Sequence, residues 1–388
     1  VEFDFDYLIV GGGAAGLSLV YAIALEPRLQ QKRVLLIEPQ AKNQNDRTWS
    51  FWTDEPTLFD GIVVHEWEKL AFRSLGFEQV FPLQKYRYKM IRGLDFYRFV
   101  HAALENRVQV TQLTGTVEDL QETGAGVIAH TSAGQFAARY AFDSRPPTME
   151  RNLAKHRYLS QHFLGWEVET DHDVFDPATV EFMDFRGPQY QEARFVYVLP
   201  FSPRKALVEY TLFSAELLPT AEYEAALRDY LHHTLGVHEF KIEAVEAGAI
   251  PMTDHPLPPQ ASAHIINLGT RAGRAKPSTG YAFRRIQAHT QRLVNSLATT
   301  GAPPADLTGD QRQFLWFDTL LLDIMQRRGE STRDIFAKLF QNNPLERILA
   351  FLDERTSWLD NLRVMNSVPP WPFLRSIVHV LRGRPGER

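Results

Sequence analysis

A glycine-rich turn near the start of the chain, in FDYLIVGGGAAGLSLVYAIAL (residues 5–25), restricts the fold more than any other stretch. Tyr7–Val10 is a short apolar run with branched Ile9 and Val10, which suits a strand buried on both faces of a parallel sheet. Gly11, Gly13 and Gly16 follow in G-x-G-x-x-G spacing, where the pattern turns helical. Val34–Ile37 reads as the next strand and ends at Glu38, 22 residues beyond Gly16. Each position has a physical task. Gly11 allows a tight turn, Gly13 lets the backbone approach a pyrophosphate, and Gly16 lets the helix pack on the strand. The free N–H groups of the helix start, at Ala14 and Ala15, then face the phosphates. Glu38 at the strand tip accepts hydrogen bonds from ribose hydroxyls. Strand, turn, helix, second strand and acid in this order define a dinucleotide site.

Tyr7–Leu25 is also 19 residues long without a charge, so a membrane span competes for it. Three consecutive glycines weaken a helix there, and the flanks are acidic Asp6 and Glu26 instead of basic anchors. The span is rejected. With 388 residues the chain has room for two closely linked domains. A net charge of −5 argues against nucleic acid as the main partner. There is no cysteine, hence no thiolate nucleophile and no Cys-ligated metal. His232, His233 and His238 cluster in a polar stretch that reads as a solvated face, not a ligand set. No secretory pattern precedes the first strand, so the cytosolic side is expected.

Further along, Lys85, Arg87 and Lys89 alternate with Tyr86, Tyr88 and Met90, the pattern of a strand with one basic face. A helix is expected over 94–104. Val108–Thr114, Thr116–Leu120 and Val127–His130 read as a β-meander. From Leu159 onward, period-2 and apolar runs separated by turn residues indicate an antiparallel sheet, followed by a helix over 221–235. Residues 311–379 are mainly helical, with Phe314, Phe317, Leu321 and Ile324 on one face. The chain is therefore an α/β protein. It combines a Rossmann-type domain from 1–55, 93–150 and 245–300, an inserted antiparallel substrate domain from 56–92 and 151–244, and a helical region over 301–388.

The stretch LGTRAGRAKPSTGYAF (268–283) places glycines, a proline and basic groups between a short strand and a helix. It resembles the second cofactor-binding stretch of flavoproteins of the glutathione-reductase type, where the chain returns from the substrate sheet to the flavin ribityl and pyrophosphate. That resemblance implies FAD instead of NAD. It assigns Gly269, Gly273, Lys276, Pro277 and Gly280 to the cofactor, with Arg47 and Asp143 from earlier loops. The family's Gly-Asp pair is here Gly269-Thr270.

Taken together, NDRTWSFW (45–52), DSRPP (143–147), QHFLGWEVE (161–169), MDFR (183–186), FVYVLPFSP (195–203), LVEYT (207–211) and AGRAKPSTGYAF (272–283) resemble segments of the bacterial lycopene beta-cyclases. That resemblance covers nearly the whole chain. It implies a non-redox cyclisation of the acyclic ends of lycopene to β-ionone rings, by way of γ-carotene to β-carotene. The FAD is expected in its reduced form, with NAD(P)H as the source of electrons. LVEYT is similar to the plant F-L-E-E-T segment, which makes Glu209 the proton donor; Asp184 in MDFR is the second candidate. Glu209 follows apolar Val208 on a strand, and desolvation of such a carboxyl raises its pKa. Trp166 and Tyr197 are candidate aromatic faces for a cation, or else core. Glu167 and Glu169 alternate with Trp166 and Val168 and read as a wet face. A redox flavoenzyme on an apolar substrate, a prenyl reductase or hydroxylase, is the competing reading. Hydroxylases, however, carry Asp-Gly where this chain has Asp143-Ser144. The substrate lives in a bilayer, so docking on the inner membrane surface is expected. The apolar and arginine-rich end PPWPFLRSIVHVLRGRPGER (369–388) and the Lys85/Arg87/Lys89 face are its candidates, and the same end could equally pack as core.

Overall fold

A computed structural model describes residues 2–147, 149, 151–153, 155–306 and 312–383. Strand β1 (Phe5–Val10), helix α1 (Ala14–Leu25) and strand β2 (Val34–Glu38) form the opening βαβ unit, with β1 and β2 parallel in register Tyr7↔Val34. Strands β3 (Thr48–Thr53), β4 (His65–Trp67), β5 (Lys69–Ser74), β6 (Phe77–Pro82) and β7 (Arg87–Arg92) come next, then helix α2 (Gly93–Leu104) and strand β8 (Val110–Thr114). β9 (Val117–Glu122), β10 (Val127–Thr131) and β11 (Gly134–Asp143) complete this half.

The expected three-strand meander is corrected at its first member. β8 runs parallel to β2 on the far edge of the sheet, and the meander is β9–β10–β11. Parallel pairing needs a crossover, which α2 supplies. The first sheet has the order β8-β2-β1-β11-β10-β9, and β17 (Ile265–Asn267) pairs with the end of β11.

The second sheet has seven strands in the order β16-β12-β15-β14-β13-β5-β6. Its remaining members are β12 (Tyr158–Thr170), β13 (Thr179–Asp184), β14 (Ala193–Ser202), β15 (Lys205–Ser214) and β16 (Phe240–Thr253). β16 pairs with β12 along its length, so the boundary expected at 244/245 falls inside one strand. The two faces of this sheet differ in their covering. Helix α3 (Thr220–Asp229) lies on the outer face over Trp166, Val168, Val208 and Tyr210. The inner face, with Phe182, Phe195, Tyr197 and Phe213, meets helices α5 (Arg312–Arg328), α6 (Ser331–Asn342) and α7 (Leu345–Leu352). Phe340 of α6 stacks on Phe72 of β5 with ring centroids 4.3 Å apart. Helix α4 (Phe283–Thr300) returns to pack on α1, and α8 (Trp358–Ser367) and α9 (Pro370–Leu381) close the described chain.

The third sheet, β3-β7-β4, joins the two halves. It also corrects the basic-face expectation. Lys85 pairs with Asp54 at 2.8 Å, Arg87 with Glu66 at 3.5 Å, and Lys89 with Asp60 at 3.0 Å. Neighbouring carboxylates therefore neutralise this face.

Candidate active site

The first loop has the shape its glycines demand. Gly11 adopts φ +97° and its N–H donates to the Ile37 carbonyl at 2.8 Å. A Cβ on Gly16 would lie 1.9 Å from the Gly11 oxygen, so only glycine lets α1 approach this closely. A Cβ on Gly13 would meet nothing within 4 Å, so the backbone there borders open space. Glu38 Oε2 accepts the Gly12 N–H at 2.5 Å, which holds the carboxylate at the mouth of the loop.

The return stretch meets this loop from the other side. Gly269, at φ +56°, would bring a Cβ within 3.0 Å of the Ala15 side chain, which fixes the second stretch against the start of α1. Gly273 and Gly280 also have positive φ, and Pro277 lies in a closed turn in which the Gly280 N–H donates to the Lys276 carbonyl at 2.8 Å. Glycine loops, helix start and acid together form a cradle whose residues fit a bound FAD.

Two members of the expected cofactor set, Lys276 and Asp143, have their charged groups engaged by other residues. Lys276 Nζ is buried between Asp318 at 2.9 Å and Glu354 at 2.7 Å, so it ties the loop to the C-terminal helices. Asp143 has its carboxyl oxygens occupied by Arg145 at 2.8 Å and Arg271 at 3.2 Å, which links the two cofactor stretches. The Arg47 side chain is exposed and donates to the Asp46 carbonyl, while its own carbonyl accepts the Gly93 N–H at 2.7 Å.

On the inner face of the second sheet, strand register sets one row of residues side by side. Glu246 of β16 pairs with Gly165 of β12, Gly165 with Glu209 of β15, and Glu209 with Tyr197 of β14. Paired residues point to the same face. Gly165 has no side chain, so the two glutamates meet above it within hydrogen-bonding reach. A Cβ there would lie 3.2 Å from Glu246 Cγ and 3.5 Å from Glu209 Cβ. Thr211 Oγ1 donates to Glu209 Oε1 at 2.7 Å, and Thr48 Oγ1 donates to Glu246 Oε2 at 2.5 Å. Desolvation first, and then the Glu246 carboxylate, push the Glu209 pKa up to about 8. Burial raises Glu246 as well. Two like charges so close oppose each other's ionisation.

Aromatic rings surround this pair. Tyr197 Oη lies 3.3 Å from Tyr281 Oη, which brings the cofactor return stretch to the acid. Trp52 meets the Tyr281 ring edge-on at 4.9 Å, and Phe182 lies 5.8 Å from Tyr88 and 6.0 Å from Tyr197. Such a place sets a proton donor beside ring faces that can hold a cation.

The structure separates the other sequence candidates from this row. Asp184 accepts from Arg186 Nη2 at 2.6 Å and from Tyr230 Oη at 2.8 Å, an ion pair buried on the α3 side. A register shift between Glu181 and Asp184 turns it that way. Trp166 is also on the outer face, where the Arg228 guanidinium lies 5.0 Å over its ring. The alternation seen in the sequence is real, but its faces are reversed. Trp166 and Val168 pack under α3, while Gly165 and Glu167 face the site, with Glu167 bonded to Arg92 at 2.7 Å. The sequence pattern alone does not mark Glu246 or Gly165 as site residues. A lone glycine inside an apolar strand pattern was the available signal, because it marks a close approach. Among the described residues no His, Asp or Glu cluster could hold a metal ion.

A glycine-lined cradle at a strand–helix turn and a sheet-borne carboxyl pair among packed aromatic rings sit on a fold of the Rossmann-type flavoprotein class. Similar architecture occurs in a geranylgeranyl bacteriochlorophyll reductase-like protein from Thermoplasma acidophilum, with a TM-score of 0.60 and 13% identity over 97% of this chain and 99% of that one. This likeness concerns the fold alone. The chain belongs to the lycopene cyclase family, whose model, described as lycopene cyclase protein, matches residues 6–378. It is 26% identical over 397 residues to the lycopene beta-cyclase of Pseudescherichia vulneris, covering 95% of each chain. It is 25% identical over 402 residues to that of Pantoea ananas, covering 97% of this chain and 98% of the relative. Family membership favours cyclisation over the redox reading.

Proposed function

We propose that the protein cyclises the acyclic ends of lycopene to β-ionone rings, with Glu209 as the proton donor. The observation that carries this reading is the meeting of the Glu209 and Glu246 carboxyls across Gly165, beside the aromatic rings at which the 268–283 stretch arrives through Tyr281. Glu209 delivers its proton to C2 of the polyene end and leaves a tertiary cation at C1. The C5=C6 double bond attacks that cation, which forms the C1–C6 bond and moves the charge to C5; the carboxylate left on Glu209 takes the C6 proton, which restores the C5=C6 double bond with no net change of electrons. Tyr197, Tyr281 and Trp52 present ring faces and exclude water, which preserves the cation long enough to close.

Gly11, Gly13, Gly16, Glu38, Gly269 and Gly280 hold FAD on this reading. The reduced flavin, once bound, supplies negative charge that stabilises a carbocation in a low-dielectric pocket, with NAD(P)H as its electron source. Asp184 and Trp166 serve the fold, and Lys276 orders the loop without touching the cofactor.

The substrate reaches the enzyme from a bilayer, with the protein docked peripherally on the inner face, where NAD(P)H is available. Among the described residues no helix is long and apolar enough to cross a membrane. Helix α9 instead exposes Trp371, Leu374, Val378 and Leu381 along one side, with Arg375 and Arg382 exposed beside them. An apolar stripe rimmed by arginine suits an anionic interface. Arg384 and Arg388 lie outside the described residues. The deciding experiment is incubation of the flavin-reduced protein with lycopene. A product of unchanged mass with a β-ring spectrum supports cyclisation, whereas a mass change with stoichiometric NAD(P)H consumption would establish the redox reading.

A further inference from the structure

We propose that Glu246 is a positioning residue for the acid: across Gly165 it shares a single proton with Glu209 and holds that proton on the pair until a polyene end arrives. This rests on Glu209 being the donor and adds the device that keeps it loaded.

The geometry is specific to these strands. Glu246, Gly165 and Glu209 occupy one rank of the sheet, and replacing the central glycine would wedge a methyl between the two carboxyls. Each glutamate has its own hydroxyl donor, Thr211 for Glu209 and Thr48 for Glu246. These donors bond Oε1 of Glu209 and Oε2 of Glu246 and leave one oxygen of each carboxyl for the shared proton. Thr48 and Thr211 favour charge on their own glutamates alike, whereas Arg92 favours charge on Glu246 and not on Glu209, which directs the shared proton towards Glu209, beside Tyr197.

Other charged or titratable groups act on the pair. Arg92 of β7 favours the Glu246 carboxylate but is itself bonded to Glu167 of β12, whose own charge opposes it. Tyr88 of β7 and Tyr197 of β14 have their pKa values raised, through burial first and partly through the charge of Glu209, so both stay neutral hydroxyls. Among the described residues no cation is bonded directly to Glu209. The glutamate pair is therefore the proton store.

The test is an infrared titration of the protonated-carboxyl band of the protein, with Glu209→Gln to assign the band, so that the pair is read without any turnover. In the wild type the band should disappear near pH 8. Glu246→Gln removes the like charge and gives Glu209 an amide donor, so the midpoint should fall by about one unit or more. Thr48→Val removes the donor that stabilises charge on Glu246, so the midpoint should rise. The alkaline limb of the cyclisation rate should follow both shifts, while flavin absorbance stays unchanged. A band unmoved by Glu246→Gln, in protein whose circular dichroism matches the wild type, overturns the proposal. A protein that titrates as expected and yet leaves lycopene untouched sinks the cyclase reading and leaves the shared proton standing.

Discussion

Glu209 sits where a carboxyl is costly to ionise, and that single fact sets two opposed consequences. Glu209→Gln keeps the shape but removes the transferable proton, so cyclisation should drop by about two to four orders of magnitude with flavin retained. Near-native turnover in that variant would remove Glu209 from the mechanism. The stability effect has the opposite sign. The folded-state pKa is raised from 4.5 to about 8, so between those values the folded chain binds more protons than the unfolded one. Stability from this group is therefore greatest at acid pH and is lost as pH rises through about 8. Glutamine does not titrate. The melting temperature of Glu209→Gln relative to wild type should accordingly climb from pH 5 to pH 8 and then level off; a difference independent of pH would refute the raised pKa. At the other site, Gly13→Val adds a side chain where no protein atom lies within 4 Å of the new Cβ. The fold should survive and the yellow colour should not, as measured by flavin absorbance after gel filtration. A folded, fully yellow variant would contradict the cradle assignment.

Elements show why some of this was legible in sequence and some was not. The G-x-G-x-x-G turn carries its own geometry, because Gly11 and Gly16 are constrained by atoms a few residues away. Period-2 alternation in β12 correctly separated Trp166 from Glu167, but alternation cannot tell which face a distant helix will cover. Helix α3 covers the Trp166 face, so the polar-looking face became the site. Glu246 was hidden for a related reason: its meeting with Glu209 depends on two strand pairings and a bulge between Glu167 and Val168. Helix α9 was legible as amphipathic but not as docked or free. It is partly docked, since Ser376 Oγ donates to the Leu320 carbonyl and His379 bonds Asp323 at 2.8 Å. Its opposite side remains open, with Trp371 71% and Leu381 74% exposed. Trp371→Ser combined with Leu381→Ser removes apolar area without touching those bonds. Flotation with anionic liposomes should weaken and melting temperature should stay. Undiminished flotation at low and high salt would exclude this stripe as the membrane contact.

Across the whole molecule, the acid and the cofactor cradle stand on different sheets, so catalysis requires that the sheets keep a fixed relation. Two structures supply it. The β3-β7-β4 sheet carries Thr48 to Glu246 and Trp52 to Tyr281, which ties the Rossmann half to the acid row. The second is the buried cluster around Lys276, which binds the cofactor return stretch to Asp318 of α5 and to Glu354 beyond α7, with Arg285 of α4 also at 2.7 Å from Glu354. Ser278 Oγ joins the same cluster through Asp318 at 2.5 Å. Removing one partner of a buried ion pair leaves the others uncompensated, at a cost of about 3–5 kcal/mol. Lys276→Met should therefore lower the melting temperature strongly. Because the same loop presents Gly280 and Tyr281, it should also weaken flavin binding without changing any atom expected to touch the flavin. The double variant Lys276→Met, Asp318→Asn removes one charge of each sign, leaves the Arg285–Glu354 pair in place, and should recover part of the stability while flavin affinity stays low. If Lys276→Met melts with the wild type and keeps its flavin, the helical region does not hold the cradle in register with the acid, and the inter-sheet β3-β7-β4 connection alone must do so.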